Sequence, residues 1–480
     1  MKILLPISLF ILLSVFGQSQ ELVFEKEMKY SKTRETYPVY YPSEDTFALL
    51  IKEMRVAQLH VFNSDMHSII EMSTGYDGLA FPEYLGSFVS GGNVYMYFLH
   101  ENQKKLLLLV FNVETRGVTS KMIVFQQAKE RFVNAFSDTG QLIIVTTTKR
   151  QSLINVYLID SDGNTILKQY DFNDIVFLTG TTPYNLDDLL KRELYSAKIE
   201  NRFPKNIEAA AKKIKLYYAS DQIIISLDNN NDRTTLLILG LGDGSKRKID
   251  TRHGFIQNPE LARSNSFIHN DILYQFKASE DELMVSQVGY LTDSLFNTTK
   301  VNVSNFASFI NSEVSFFGGN NEFVTYKDID PEKAKNMFRN IPKNYPVIYV
   351  AEENNRKLQL IVGGYKYQSQ GTGIMLPGMS SMVNLNSGVP SLTTACFAMH
   401  IDGKSYSYLS GVIDNCEIGD VSKFIYSKEN ESADGKEFTV YKNHLSAIKM
   451  FRYNEDYYLG YYFKEDKKYY LYRFGESLKK

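Results

Sequence analysis

Apolar and polar positions alternate in short runs along most of this chain, and the clearest block lies between Phe132 and Phe172. Phe132–Phe136, Gln141–Thr148, Leu153–Asp160 and Thr165–Phe172 are rich in β-branched and aromatic residues, the composition of strands. Between them, Ser137-Asp138-Thr139-Gly140 and Ser161-Asp162-Gly163-Asn164 place glycine where a tight hairpin needs a positive φ. Four antiparallel strands in about forty residues cannot bury both faces alone, so the block predicts neighbours of its own kind.

Similar sets recur. Thr46–Lys52, Val56–Asn63 and Ser68–Met72 form one, and Asn93–His100, Lys105–Val113 and Lys121–Phe125 another. Gln222–Leu227, Thr234–Leu241 and Lys246–Asp250 follow the central block, then Asp271–Ala278, Glu282–Tyr290 and Thr299–Val303. The second strand of each set begins near 46, 93, 141, 222, 271 and 321, a steady period with one large gap. Strand-only content at this period predicts a β-propeller. Asp-Gly turns at Asp162-Gly163, Asp243-Gly244 and Asp402-Gly403 agree with it. Beyond residue 345, Val347–Glu352, Lys357–Tyr365, Thr393–Ile401, Ser405–Ser410, Lys423–Ser427 and Glu437–Tyr441 read as strands without a unique blade assignment.

The chain ends with only three strands, Ala447–Tyr453, Asp456–Phe463 and Lys467–Phe474, while Leu22–Tyr30 alternates as a strand with no neighbour. Pairing the two would complete a sheet and close the ring, removing an open edge. The expected fold is all-β: a single propeller over residues 18–480, with seven blades, or eight as the alternative. Phe136-Ser137-Asp138-Thr139-Gly140-Gln141-Leu142 resembles the strand–turn–strand of many members of the propeller superfamily. That resemblance implies architecture only, since propellers host enzymes, lectins and scaffolds alike.

Helical insertions interrupt the pattern. In the insertion at 185–215, Asn185 caps a helix with Asp187 and Asp188 in its first turn, favourable at the positive end of the helix dipole. This helix is expected to run on until Pro204, with a second over Ile207–Ile214. A shorter one at 330–340 starts with Asp330 as cap and Pro331 at the first helical position. Lying between strands, both insertions should protrude from one rim, either to meet partners or to patch a blade edge.

Composition adds a compartment. Lys2 followed by the apolar run Ile3–Phe16 reads as a secretory signal over residues 1–17. The run is shorter than the roughly 20 residues of a membrane span, so an exported protein without a transmembrane segment is expected. Periplasm is the first expectation and the cell surface or medium the second. The ending Phe16-Gly17-Gln18-Ser19-Gln20-Glu21 is similar in style to signals of Bacteroidota. A net charge of −2 with no basic stripe argues against a nucleic-acid partner. The absence of Trp removes a Trp-lined sugar platform, although 33 Tyr and 31 Phe could stack on glycan. Cys396 and Cys416 would either pair as a disulfide or remain two buried thiols.

Catalytic spacings are scarce. The histidines (His60, His67, His100, His253, His269, His400, His444) are scattered, and no His-Glu-x-x-His, Cys-x-x-Cys, Gly-x-Ser-x-Gly or phosphate loop occurs. No catalytic residue, cofactor or metal is assigned. Asp228, Asn230 and Asp232 alternate as calcium ligands could, but without the glycine and later glutamate of an EF-hand loop they read as a polar hairpin turn. Ser161-Asp162-Gly163-Asn164-Thr165 lacks the spacing and Trp of a sialidase Asp-box.

Tyr367–Ile401 contains no Asp, Glu, Lys or Arg for 35 residues, in a chain that is 22% charged. Within the loop at about 367–392, Ile374, Met375, Leu376, Pro377, Met379 and Met382 form an adaptable apolar surface. They are the candidate partner-binding residues; the alternative is a loop folded over the propeller's channel. The C-terminal cluster Tyr453, Tyr457, Tyr458, Tyr461, Tyr462, Phe463, Tyr469, Tyr470, Tyr472 and Phe474 could grip a glycan or peptide, but alternating strand faces make core packing the better reading. The functional expectation is a non-catalytic exported propeller that binds protein partners in a bacterial cell-envelope assembly. By analogy alone, a narrower version is a periplasmic accessory or plug of an outer-membrane translocon such as type IX secretion. The alternative is a propeller that binds or processes glycan in its central channel.

Overall fold

The computed structural model describes residues 20–28, 35–41, 46–125, 129–192, 196–200, 207–306, 314–317, 323–326, 330–353, 357–365, 395–399, 445–454 and 456–474. Strand β1 (Gln20–Glu27) stands apart from the first blade, which is β2–β5 (Glu35–Tyr40, Phe47–Lys52, Val56–Phe62, Ser68–Gly75). Blade 2 is β6–β9 (Glu83–Ser90, Asn93–Leu99, Lys105–Asn112, Val118–Val124). Blade 3 is β10–β13 (Glu130–Asp138, Gln141–Thr148, Leu153–Asp160, Thr165–Asp171). A small hairpin, β14 and β15 (Phe177–Thr179, Thr182–Tyr184), leads to helix α1 (Leu186–Arg192), strand β16 (Ala197–Ile199) and helix α2 (Ile207–Ala211). Blade 4 is β17–β20 (Ile214–Ala219, Gln222–Asn230, Arg233–Gly240, Lys246–Arg252) with β16 added to it. Blade 5 is β21–β24 (Arg263–His269, Ile272–Ala278, Glu282–Gly289, Ser294–Asn302).

Blade 6 breaks the sequential order. Its strands are β25 and β26 (Val314–Phe317, Phe323–Tyr326), then, after helix α3 (Pro331–Asn340), β27–β29 (Tyr345–Glu353, Lys357–Tyr365, Ala395–Met399). They assemble as β26-β25-β29-β28-β27. Blade 7 is β30–β32 (Leu445–Tyr453, Asp456–Phe463, Lys468–Phe474), completed by β1 in the order β1-β32-β31-β30. Seven sheets of four or five strands are thus present among the described residues. The chain is a β-propeller, its ring closed by strands from both termini. No helix among the described residues is long and apolar enough to cross a membrane.

Neighbouring blades meet through their first strands: β2 touches β6 and β30, β6 touches β10, and β21 touches β27. These strands therefore line the axis. Apolar side chains fill the wedges between blades. Phe98 and Leu59 share a cluster between blades 1 and 2, Ile144 and Leu106 one between blades 2 and 3, and Phe276 and Val350 one between blades 5 and 6. At the closure, Phe47 stacks on Phe451 at 5.0 Å between ring centres. Tyr453, Tyr458, Tyr462 and Tyr469 are buried in that same cluster, so these four of the C-terminal aromatics are core. The turn glycines Gly140, Gly163 and Gly244 have φ of 82°, 77° and 70°, as the hairpins require.

Four expectations need correction. The strand near 321 is not the second strand of a blade: β26 is the outermost strand of blade 6, whose second strand starts at Lys357. The first insertion is not one helix up to Pro204. Asn185 does cap α1, its Oδ1 accepting the Asp188 N–H at 2.8 Å, but α1 ends at Arg192 and a strand follows at Ala197–Ile199. The second helix is also shorter than expected, because Ile214 opens β17. Nor do the helices protrude. Leu186 and Leu189 are buried in the cluster of blades 3 and 4, and Asp187, 1 % exposed, accepts from Arg131 Nε at 2.9 Å and Thr147 Oγ1 at 3.0 Å. Ala210, Ala211, Met337 and Phe338 are buried with blades 5 and 6. Docking apolar faces in this way is what short helices need, since alone they are marginal.

Candidate functional site

Strand β16 defines the centre of the molecule. It pairs parallel to β17 (Ala197 opposite Lys215, Ile199 opposite Tyr217) on the edge away from β18. Since β17 is the inner strand of blade 4, β16 lies in the channel itself. Its side chains reach the other walls. Lys198 Nζ stands 5.3 Å over the Phe136 ring of blade 3, and Ile199 packs against the cluster of blades 5 and 6. Lys198 also pairs with Glu200 at 2.5 Å, and the Glu200 charge acts on Tyr84 of blade 2 and Lys449 of blade 7. The chain's own segment therefore crosses the axis.

Beside it, three successive inner strands begin with a glutamate: Glu35, Glu83 and Glu130. Glu130 is buried and accepts from Thr146 Oγ1 at 2.7 Å and from the Tyr157 hydroxyl at 2.8 Å, an ordering role. The other two face a common charge. Lys52 Nζ lies 2.5 Å from Glu35 Oε2 and also donates to the carbonyl of Pro82. Tyr37 donates to Glu35 at 2.8 Å and stacks on Tyr84 at 4.0 Å between ring centres. Burial pushes the Glu83 carboxyl up to about 7; Glu35 adds to the rise and Lys52 opposes it. Burial also drives the Lys449 ammonium down, with Glu200 resisting. Glu83 thus favours its protonated form beside the Glu35–Lys52 ion pair.

A raised carboxyl has a definite sign in linkage. The folded state holds the proton more tightly than the unfolded one, so the stabilisation is full below the ordinary Glu range and fades as pH rises through about 7. Glu83→Gln, which keeps the neutral shape, is expected to raise stability above pH 7 by about 1–3 kcal/mol and to change little at pH 4. Melting temperatures of the two proteins across that range would show it; a uniform shift at all pH values would rule it out.

Most of the candidates drawn from sequence lie outside the described residues: Ile374, Met375, Leu376, Pro377, Met379 and Met382, together with Cys416. Cys396 falls within β29, opposite Gly363 of β28 and Ser315 of β25. His60 is 1 % exposed, 5.0 Å from the Phe24 ring, and burial pushes its pKa down to about 4, so it is a packed residue. Asp228 and Asp232 diverge: Asp228 is buried against Lys215, whereas Asp232 is exposed and pairs with Lys277 at 3.4 Å. Among the described residues no group of His, Cys, Asp or Glu is placed to hold a metal ion. The channel glutamates escaped sequence reading because β2 and β6 did. The one signal was the recurrence of Glu at 35, 83 and 130 with the blade period.

No protein-family model matches the chain, and no curated protein matches it. Among solved structures it is similar to the WD40 domain of SCAP from fission yeast, with 11% identity over 95% of this chain and 98% of that one, at a TM-score of 0.34. A mutant of the Synechocystis apocarotenoid oxygenase shares 8% identity over 56% of this chain and 61% of its own, at 0.31. An uncharacterised Listeria monocytogenes protein shares 12% over 70% and 82%, at 0.26. The seven-sheet topology, and not these low scores, establishes the propeller.

Proposed function

We propose that this chain is an exported, non-catalytic propeller that binds other proteins within a bacterial cell-envelope assembly. The observation that carries the reading is a group of bare apolar side chains at the tip of the β23–β24 hairpin of blade 5. Leu291, Leu295 and Phe296 are 47%, 64% and 59% exposed there. A local group of large exposed apolar residues is a liability in water unless a partner covers it. The signal-like segment 1–17 supports an envelope location, with the periplasm first. A narrower form is an accessory or plug of an outer-membrane translocon, and the Met-rich loop containing Ile374 and Met379 would supply a second contact.

Affinity purification of the full chain from native envelope extracts, followed by mass spectrometry, is expected to recover a stoichiometric protein. Leu295→Ser/Phe296→Ser should reduce that recovery about tenfold without lowering the melting temperature. Recovery of no stoichiometric protein with the intact chain would overturn the reading.

One observation favours a second reading, glycan handling at the channel. Glu35 and Glu83 converge there beside the Tyr37–Tyr84 stack, an acidic and aromatic mouth of the kind that grips sugars. Saccharide retained on a glycan array and lost in Glu83→Gln would support it; a blank array would remove it.

A further inference from the structure

The outward half of blade 4 carries a row of cations. Lys246, Lys248, Asp250 and Arg252 alternate along the outermost strand β20 and so share one face, and Arg233 of β19 sits directly opposite Arg252. Leu237 and Leu239, opposite Lys248 and Lys246, belong to the cluster between blades 3 and 4, which fixes that face as the one turned toward blade 3. Lys246 confirms it, donating to the Asp171 carbonyl and lying 5.3 Å from the Phe172 ring. Between this row and the β14–β15 hairpin is a cavity of about 60 Å³. Leu189 and Leu227 form its buried floor; Val176 and Leu178, 66% and 45% exposed, form one lip; Arg233 and Lys248 form the other.

The charges on this face do not balance internally. Asp250 already accepts from Lys248 and from Thr235 Oγ1 at 2.5 Å, the Asp171 carboxylate accepts the Asn173 N–H, and Asp232 is tied to Lys277. Asp250 also acts on Arg233, yet Arg233 and Arg252 stand as like charges directly across a strand pair, an arrangement that an added anion would relieve. Side chains of one strand face repeat about every 7 Å, the same repeat as alternate residues of an extended peptide. The cavity itself has room for a single aliphatic side chain.

We propose that this cleft docks an extended acidic peptide segment of a protein partner, with one apolar residue in the cavity and carboxylates beside it meeting Arg233 and Arg252. This deepens the protein-binding reading by naming a partner chemistry, and rests on that reading only for the existence of a partner. A one-residue cavity beside directly opposed arginines favours a peptide: a polysaccharide offers no apolar anchor, and a membrane presents a broad charged surface and no single side chain set between carboxylates.

The test is fluorescence anisotropy of the full chain with a short labelled peptide carrying one leucine between runs of glutamate. Saturable binding is expected, weakened about tenfold by Arg233→Glu/Arg252→Glu and by replacing the peptide leucine with serine. Both arginines are exposed, so the variant should keep its melting temperature; Leu178→Ser is a second variant acting on the apolar lip alone. Binding indifferent to the arginines and to the leucine, or equal binding of dextran sulfate or anionic phosphatidylglycerol vesicles, would overturn the proposal. If envelope partners still co-purify with Arg233→Glu/Arg252→Glu, this cleft is refuted and the wider protein-binding reading stands.

Discussion

Asp228→Ala is expected to cost about 3–5 kcal/mol of folding stability, the range for stripping one partner from a buried ion pair. Lys215 and Asp228 are both fully buried, 3.1 Å apart. Asp228 also accepts from Thr234 Oγ1 at 2.7 Å and from the Ser266 N–H at 2.9 Å, so its loss strands donors on two blades. Lys215 in turn donates to Asn265 Oδ1 at 2.5 Å, and the Asn265 amide donates to the Pro346 carbonyl at 2.6 Å. This polar chain ties the inner strands of blades 4, 5 and 6. Replacing both charges, as in Lys215→Met/Asp228→Leu, should cost much less than Asp228→Ala, because no uncompensated charge is left inside. Urea unfolding of the singles and the double would decide it. A loss under about 1 kcal/mol for Asp228→Ala would show that water reaches the pair.

Deleting residues 20–27 is expected to cost on the order of 4 kcal/mol or more, from lost ladder hydrogen bonds and apolar cover, a large share of a typical domain's stability. Strand β1 pairs with β32 from Gln20 opposite Phe474 to Glu27 opposite Lys468. Phe24 also packs edge-on against Phe62 of blade 1, 5.2 Å between centres. Without β1, the edge of β32 lies open to other chains, so aggregation should accompany the fall in melting temperature. Thermal scans with light scattering would measure both effects. A truncated protein that melts as the full chain does and stays monomeric would contradict the closure.

Much of this ring is legible in sequence where a strand is buried on one or both faces and obeys its period. Gln141–Thr148 and Leu153–Asp160 are delimited to the residue by their apolar runs, the glycine turns at Gly140 and Gly163 and the polar link between them. The inner strands of blades 1 and 2 were not. Glu35–Tyr40 contains Pro38, and Glu83–Ser90 shifts register between Tyr84 and Gly86, so neither shows clean alternation. The same kind of shift occurs in β10, between Phe132 and Asn134. Gly86 marks the reason in blade 2: a Cβ there would stand 3.0 Å from Ser137 of blade 3, so the two inner strands approach closely.

Blade 6 defeated the period for another reason. Its outer strands precede its inner ones, with α3 between, so the chain enters the blade from outside. Strand β16 is three residues long and pairs in parallel, which leaves no local signature in a sequence. The channel site depends on these elements and was invisible with them. Outer strands, by contrast, stand in plain view: Lys246–Asp250 reads as a strand in sequence, and β20 starts at Lys246.

Ring closure by the two ends is the claim on which the channel, its crossing strand and the glutamates at its mouth all depend. Zero-length carbodiimide cross-linking of the dilute protein, mapped by mass spectrometry, tests it without any substitution. Glu25 lies 3.0 Å from Lys468, and Lys26 lies 2.7 Å from Glu71, so β1 should become linked to the last strand on one side and to blade 1 on the other. Both links are expected within a single chain. If residues 20–27 link to neither, or only between chains, the ring is not closed as described.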